Sequence, residues 1–524
     1  MDQKEILNFC FEKGILLDKD VLNLFSDATD TDSVRMMIEK IRENTHSKII
    51  TKNIFVQGIK EFGQGIPDGS QENLEKLRIK LGLELEISRE IPKVASPAAK
   101  AAELYEIKSP EETFRIKIRN FPTSSAKKPD VEDFTGYFRG RFNKIRPLIQ
   151  SHPNLKNLVS INKISGNRQG MSVIGLVSDR RITKNNNILF EVEDPTGKIK
   201  VLVNGNKPAL YSIAEEITLD SIIGVVGSGN NEIIFANEII FPDSILTEKK
   251  KSPFEEYALF IGDIHFGSKL FLREGFEKFI NYLNGKIPNT PEVSKIKYLF
   301  VVGDLVSGIG IYPEQERDLD INNIEEQYRG ISDFLRQIRK DIAIIVIAGN
   351  HDAVRLMEPQ PMIDKKYAPG LYGEENIFMA TNPCWVNMGA KPGFSGVDVL
   401  VYHGFSYPYY ADNIPSLIQA NAINSPDKIM AYLLKNRHLA PTHSSTQYYP
   451  FEDDPLVIDK IPDIFVSGHT HKCAVSFYNN TLVISGAAWE SKTEFQEKMG
   501  NEPDFCKVPI YNLKTGGVKI LDFE

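Results

Sequence analysis

The chain has 524 residues, is 41% hydrophobic and 25% charged, and carries a formal net charge of −8 at pH 7, a globular composition too long for one ordinary core, so two to four domains are predicted. No apolar run approaches the roughly 20 residues that cross a bilayer, and Met1-Asp2-Gln3-Lys4-Glu5 lacks a signal peptide's basic and apolar regions, so a cytoplasmic protein without a membrane partner is expected. The acidic balance excludes broad electrostatic coating of DNA, because affinity for a polyanion comes mainly from Lys and Arg neutralising phosphates; any nucleic-acid contact must be local, metal-assisted or helped by a partner.

Residues 1–65 read as a small helical domain. Ile6, Phe9 and Cys10, then Val21, Leu22 and Phe25, then Met37, Ile38 and Ile41 recur at spacings of three and four, so each segment buries one stripe. Gln3, Ile6 and Phe9 also fit part of a sliding-clamp peptide pattern, but Cys10 replaces its second aromatic, and an ordinary amphipathic helix is the preferred reading. Residues 66–129, with Pro67, Gly69 and Pro92-Lys-Val-Ala-Ser-Pro-Ala-Ala-Lys100, read as a flexible linker. Its end is basic through Arg115, Lys117, Arg119, Lys127 and Lys128, and a solvated face is preferred there over a phosphate-contacting strip. The four cysteines, Cys10, Cys384, Cys473 and Cys506, are too scattered for a zinc knuckle or a disulfide framework and read as packing residues.

Residues 130–250 open with an amphipathic helix carrying Phe134, Tyr137 and Phe138, with Arg139, Arg141, Lys144 and Arg146 interleaved. Short alternating strands follow at 158–164, 171–177, 188–192, 199–203, 222–226 and 233–241, separated by turn signals such as Asp194-Pro195-Thr196-Gly197. Five or six strands in about 90 residues suit a closed barrel of the OB type. Such barrels bind single strands by stacking bases on aromatics. Here Phe190 and Phe235 are the main strand aromatics and are expected to face the core, so the barrel is read as a protein-contact module.

Residues 251–524 alternate apolar runs with helical spacing. The segment Ile321, Ile324, Tyr328, Ile331, Leu335 and Ile338 is the clearest amphipathic helix, and this βαβ rhythm predicts an α/β fold with helices packed on a sheet. A polar motif closes each of five apolar runs: Gly262-Asp263-Ile264-His265, Gly303-Asp304, Gly349-Asn350-His351-Asp352, His403-Gly404 and Gly468-His469-Thr470-His471. Ligands in such folds sit outside the carboxyl ends of the strands, so these motifs should converge on one rim. Asp263, His265, Asp304, Asn350, His403, His469 and His471 are the donors that divalent ions need, and a bridging carboxylate can hold two ions about 4 Å apart. In Asp-x-His and His-x-His the alternation of a strand exit would send both side chains to one side. His351, which cannot readily join its neighbour on the same ion, is predicted to act beside the site as a proton donor or charge stabiliser, with Asp352 orienting it.

Together these motifs resemble the calcineurin-like metallophosphoesterase superfamily. The order of helical domain, tether, barrel and phosphoesterase is similar to one branch of it, the small subunits of archaeal family D DNA polymerases, as are Gly303-Asp-Leu-Val-Ser-Gly-Ile-Gly-Ile-Tyr-Pro313, Asn382-Pro-Cys-Trp385 and Arg437-His-Leu-Ala-Pro-Thr442. The resemblance implies a two-layered sheet sandwich flanked by helices and a 3′ to 5′ proofreading exonuclease that serves a separate, larger polymerase subunit. Its substrate would be a single-stranded or frayed primer 3′ end and its product a nucleoside 5′-monophosphate. By motif, Asp263, His265 and His471 would bind one ion, Asn350, His403 and His469 the other, and Asp304 would bridge them. Manganese is the expected ion and magnesium the alternative. Ser307 departs from the superfamily, where many members carry Asp, and Gly303-Asp304 lacks the Arg that a protein serine/threonine phosphatase uses for phosphate. Two other readings stand beside this one: a catalytically silent scaffold subunit, which the complete donor set counts against, and a stand-alone phosphodiesterase. Aromatics of the insert after His403, namely Tyr407, Tyr409, Tyr410, Tyr448, Tyr449 and Phe451, are read equally as grips for an unpaired base and as packing against a partner.

Overall fold

The computed structural model describes residues 9–17, 49–50, 113–123 and 128–524, which fall into two units, Met1–Tyr105 and Glu106–Glu524. In the first, β1 (Leu16–Leu17) pairs in parallel with β2 (Ile49–Ile50), and Cys10 is buried. The helical stripes at 21–25 and 37–41, the clamp-pattern residues Gln3 and Ile6, and the linker up to residue 112 lie outside the described residues.

The second unit begins with β3 (Ile116–Asn120) and a helix over Val131–Gln150, started by a capping box between Asp130 and Asp133. Next come β4 (Gln169–Ile182), β5 (Ile188–Asp194), β6 (Gly197–Val203), β7 (Ile222–Gly229) and β8 (Ile233–Ile240), which close into a barrel in the order β4-β5-β6-β8-β7. Strict alternation drives closure: Ile199, Val201 and Val203 point inward, while Lys198 and Lys200 point out. The strand expected at 158–164 is instead a bridge at Leu158 and a 3-10 turn over Ile161–Lys163 that packs on the barrel. Phe190 is buried as expected, but Phe235 is 41% exposed and lies under the Arg168 guanidinium, 5.5 Å from its carbon. Ile234 and Ala236 occupy the inward positions on either side of it, so the strand's period of two turns Phe235 outward.

The rest of the unit is a two-layered sandwich. β9 (Tyr257–Ile261), β10 (Ile296–Val302), β11 (Ala343–Ile347) and β12 (Ile377–Met379) run parallel, with helices Arg273–Leu283 and Ile324–Arg336 as crossovers. β13 (Cys384–Met388), β14 (Val397–Val401), β15 (Ile464–Ser467), β16 (Ala474–Tyr478) and β17 (Thr481–Ser485) form the second sheet in the order β16-β17-β15-β14-β13-β3. β18 (Lys507–Asn512) and β19 (Val518–Asp522) return to the first, giving β12-β11-β10-β9-β18-β19. Alternate residues of one strand feed two cores. Ala258 and Phe260 face β14 and β15, whereas Leu259 and Ile261 meet Phe276, Phe279 and Leu335 of the helices. Each such large apolar side chain contributes about 1.5–3 kcal/mol when fully buried.

Two expectations change here, and one helix residue gains a distant partner. Residues 116–120, read as the end of a linker, form an edge strand paired antiparallel with β13, because Ile116 and Ile118 alternate and pack on the sandwich core. Arg141, one of the basic residues interleaved along the helix before the barrel, is buried with Asp454 at 2.7 Å, joining that helix to the phosphoesterase insert. Tyr407, Tyr410, Tyr448 and Tyr449 are buried, the first three in the core that covers the outer face of the second sheet, so they are packing residues rather than grips for a base. Among the described residues no helix is long and apolar enough to cross a membrane.

Candidate metal centre

Each predicted donor leaves the carboxyl end of a strand, and the loops that carry them brace one another. The amides of Ile264 and His265 donate to the Asp304 carbonyl at 2.8 and 3.1 Å, the amide of Gly468 donates to the His403 carbonyl at 2.9 Å, and the amide of Trp489 donates to the Asp263 carbonyl at 2.9 Å. Asp263, His265, Asp304, His469 and His471 take left-handed backbone, with φ between 49° and 70°. Such a conformation costs of order 1–3 kcal/mol per residue and persists only where surroundings over-determine it. The two side chains of Asp-x-His and His-x-His do reach the same centre, but through paired left-handed residues past the strand, not through strand alternation. Glycine is required at 349: a Cβ there would come within 2.8 Å of the Asp304 carboxylate carbon.

The donors gather in overlapping trios. Ligand atoms of Asp263, His265 and His471 lie within 4.8 Å of one another, as do those of Asp304, His403 and His469, and those of His265, Asp304 and His351. Asp304 Oδ2 stands 3.8 Å from His265 Nε2 and 3.3 Å from His403 Nε2, between the first two trios. His403 Nδ1 donates to the Val302 carbonyl at 2.9 Å, which turns Nε2 toward Asn350 Oδ1 at 3.0 Å. Fixing one ring nitrogen on a carbonyl is how a ligating imidazole is oriented. His265 and His471 bring their Nε2 atoms to 3.1 Å. The Gln496 amide faces the other nitrogen of His471 at 2.9 Å, and by flipping it can present either a donor or an acceptor.

His351 is set differently. Its backbone amide donates to Asp304 Oδ1 at 2.7 Å and its Nδ1 to the Ser307 carbonyl at 2.8 Å, which leaves Nε2 for the centre. The orienting partner is therefore the Ser307 carbonyl and not Asp352. The Asp352 oxygens are engaged by the Gly349 amide at 2.8 Å, the Leu305 amide at 3.3 Å and the Tyr328 hydroxyl at 2.9 Å, so Asp352 pins two donor loops to a helix. Ser307 also donates its hydroxyl to the His265 carbonyl at 3.0 Å, so the departure from Asp still braces the site.

Burial shapes the charges. It pushes the Asp263 carboxyl up to about 8, with Asp304 adding to the effect, and it holds His469 and His471 down to about 3 and 4. His265 is also held well below its ordinary value by burial and by neighbouring imidazoles. Three neutral imidazoles are thus ready to donate lone pairs. Burial alone would lower His403, but Asp304 beside it raises the ring to about 10, while Asp304 itself is held well below the carboxylate range despite burial. Divalent ions would displace the protons on Asp263 and His403, and this donor set of carboxylates, amide and imidazoles fits them.

Sequence reasoning missed several neighbours. Phe405 sets its ring edge-on to His469 with centroids 5.6 Å apart. Glu490, raised to about 7 by burial, feels Asp304 and His351. Neither carries a motif. Gln496 did leave one signal, the capping box with Thr493.

Residues 258–473 match the family described as Calcineurin-like phosphoesterase. The chain is 37% identical over 399 residues to the DNA polymerase II small subunit of Methanothermobacter thermautotrophicus, covering 75% of this chain and 80% of that one. Against the small subunit of Archaeoglobus fulgidus it is 34% identical over 430 residues, covering 81% and 84%. Against that of Methanocaldococcus jannaschii it is 38% identical over 397 residues, covering 74% of this chain and 65% of the relative. On the strength of these matches, the chain belongs to the family of archaeal DNA polymerase II small subunits and carries a calcineurin-like phosphoesterase domain.

Proposed function

We propose that this chain is the accessory subunit of a two-subunit replicative polymerase and its 3′ to 5′ proofreading exonuclease. Water adds to the terminal phosphodiester of a single-stranded or frayed primer, the 3′ oxygen of the penultimate nucleotide leaves with a proton, and a nucleoside 5′-monophosphate is released. The names of the relatives support a larger catalytic subunit as partner. The observation that carries the hydrolytic reading is the position of the Asp304 carboxylate between two trios of neutral or neutralisable donors.

Two divalent ions, when bound, supply Lewis acidity to the phosphate oxygens and to the attacking water. Asp263, His265 and His471 would hold one, and Asn350, His403 and His469 the other, with Asp304 shared. Manganese is the ion proposed for this site, by resemblance to the superfamily, and magnesium is the alternative. With Nδ1–H held by the Ser307 carbonyl, the His351 ring keeps Nε2 for the departing oxygen, to which it would pass a proton. Asp352 keeps the Gly349 and Leu305 loops in register and touches no reacting atom in this scheme. The barrel, OB-type by its strand order, and the helix before it form a contact module over 130–250, and the phosphoesterase domain comprises 251–524 together with β3.

The test is the purified two-subunit complex with manganese and a labelled primer bearing a mismatched 3′ end. Shortening is expected, and chelation or Asp304→Ala should stop it. A metal-loaded complex that shortens no end would make the chain a silent scaffold. Equal turnover of oligonucleotides and generic aryl phosphodiesters would make it a stand-alone phosphodiesterase.

A further inference from the structure

The loop that carries Asn350 and His351 continues to Arg355, a half-buried guanidinium with no acid partner among the described residues. Its Nε donates to the Met357 carbonyl at 3.2 Å and its Nη2 to the Pro359 carbonyl at 2.9 Å. Its carbon rests 5.4 Å from the centroid of the Tyr449 ring. Among the described residues no carboxylate lies within 4.0 Å of it, whereas Arg119, Arg141, Arg336 and Arg339 each have one. Burial pulls its pKa below the ordinary guanidinium value. Its backbone is tied by hydrogen bonds to the loops of the metal centre. One amide nitrogen, Gln360 Nε2, donates to both the Gly349 and the Arg355 carbonyls, at 3.3 and 3.2 Å. The same Gln360 side chain accepts from Asn382 at 2.6 Å, and Asn382 in turn accepts the His403 amide at 2.9 Å.

An arginine has five N–H donors, and the two carbonyl bonds leave donors on Nη1 and Nη2 for an outside acceptor. Keeping a cation part-buried without an anion costs free energy, which an anionic ligand would recover. Arg437 likewise has no carboxylate within 4.0 Å among the described residues, but it is buried and bonded to the Ile458 and Asp459 carbonyls, as a structural brace would be. Arg355 is instead partly open to solvent and followed by Leu356, which is exposed.

We propose that Arg355 is a strand-binding residue, whose guanidinium receives a backbone phosphate of the single strand next to the phosphodiester being cut, on the Asn350 and His403 side of the centre. This rests on the proofreading reading and adds to it a way for an acidic protein to hold a polyanion at one point. It also separates two substrate classes: a strand supplies the second phosphate, and a small aryl phosphodiester does not.

The full chain is compared with Arg355→Gln and Arg355→Lys in two measurements. The first is the anisotropy of a short fluorescent single strand titrated at several salt concentrations without added metal. The second is manganese-dependent turnover of an aryl phosphodiester. Arg355→Gln should weaken strand binding about tenfold and flatten the salt dependence by about 0.7 in log–log slope, the loss of one single-strand phosphate contact. Arg355→Lys should keep most of the slope, and aryl turnover should be unchanged in both. Unchanged strand affinity and slope in Arg355→Gln would overturn the proposal. So would a parallel loss of aryl turnover and thermal stability in both variants, which would make Arg355 a brace. If the wild-type chain turns over no aryl phosphodiester, primer shortening by the two-subunit complex decides the hydrolytic reading, and the anisotropy arm still decides on Arg355.

Discussion

The barrel and the metal rim both bend their backbones through left-handed geometry, but with different residues. Around the barrel the non-glycine positions include Asn186 and Asp220, with φ of 55° and 64°. Short polar side chains tolerate that region. At the rim the same geometry falls on two aspartates and three histidines. Bulky imidazoles gain nothing locally from it, so the conformation is imposed by neighbouring loops. A barrel turn is thus decided by its own few residues, whereas the rim is decided by residues more than two hundred positions apart, such as Asp263 and the His469 amide that donates to it at 2.9 Å.

The strongest way to break this contrast is Asp304→Ala. It removes the carboxylate proposed to be shared and the acceptor of the His351 amide, and the proposed nuclease activity should fall by about a thousandfold or more. A primer-shortening assay with measured metal content checks it. Next comes Asp454→Ala, which strands the buried Arg141 and should cost about 3–5 kcal/mol of stability. Denaturant unfolding would show this loss, while activity per folded molecule at low temperature stays near wild type. An effect confined to one pH window is expected at Glu358, whose carboxyl burial pushes from 4.5 up to about 8, with the Tyr402 hydroxyl, Thr446 and His403 facing it. The unfolded chain releases this proton first, so wild-type stability falls as pH rises through that window. Glu358→Gln should remove that component of the fall, read as the thermal midpoint against pH. The smallest is Asn186→Gly, which keeps left-handed geometry and should change stability by no more than about 0.5 kcal/mol and leave metal binding untouched.

The strands that carry the predicted donors were legible because β9, β10, β11, β14 and β15 are mostly apolar runs, and each ends just before one of the five polar motifs. What failed depended on partners far away in sequence. Nothing local to Arg141 announces Asp454, and nothing near Asp352 announces Tyr328 or the Leu305 amide. Phe235 was misassigned because its neighbours Ile233 and Ile234 are both apolar, which blurs the alternation that decides its face. The Asp-x-His and His-x-His pairs reached the right place for a different reason, since the left-handed φ at these residues is held by loops distant in sequence.

The pairing of β3 with β13 has a practical consequence. A fragment begun at residue 251 would strip away that border strand and bare a row of main-chain donors and acceptors on β13, an adhesive seam for self-association. The barrel is spliced into the sandwich rather than hung in front of it, and any trimmed version of the phosphoesterase must carry the earlier strand along or cap the seam by other means.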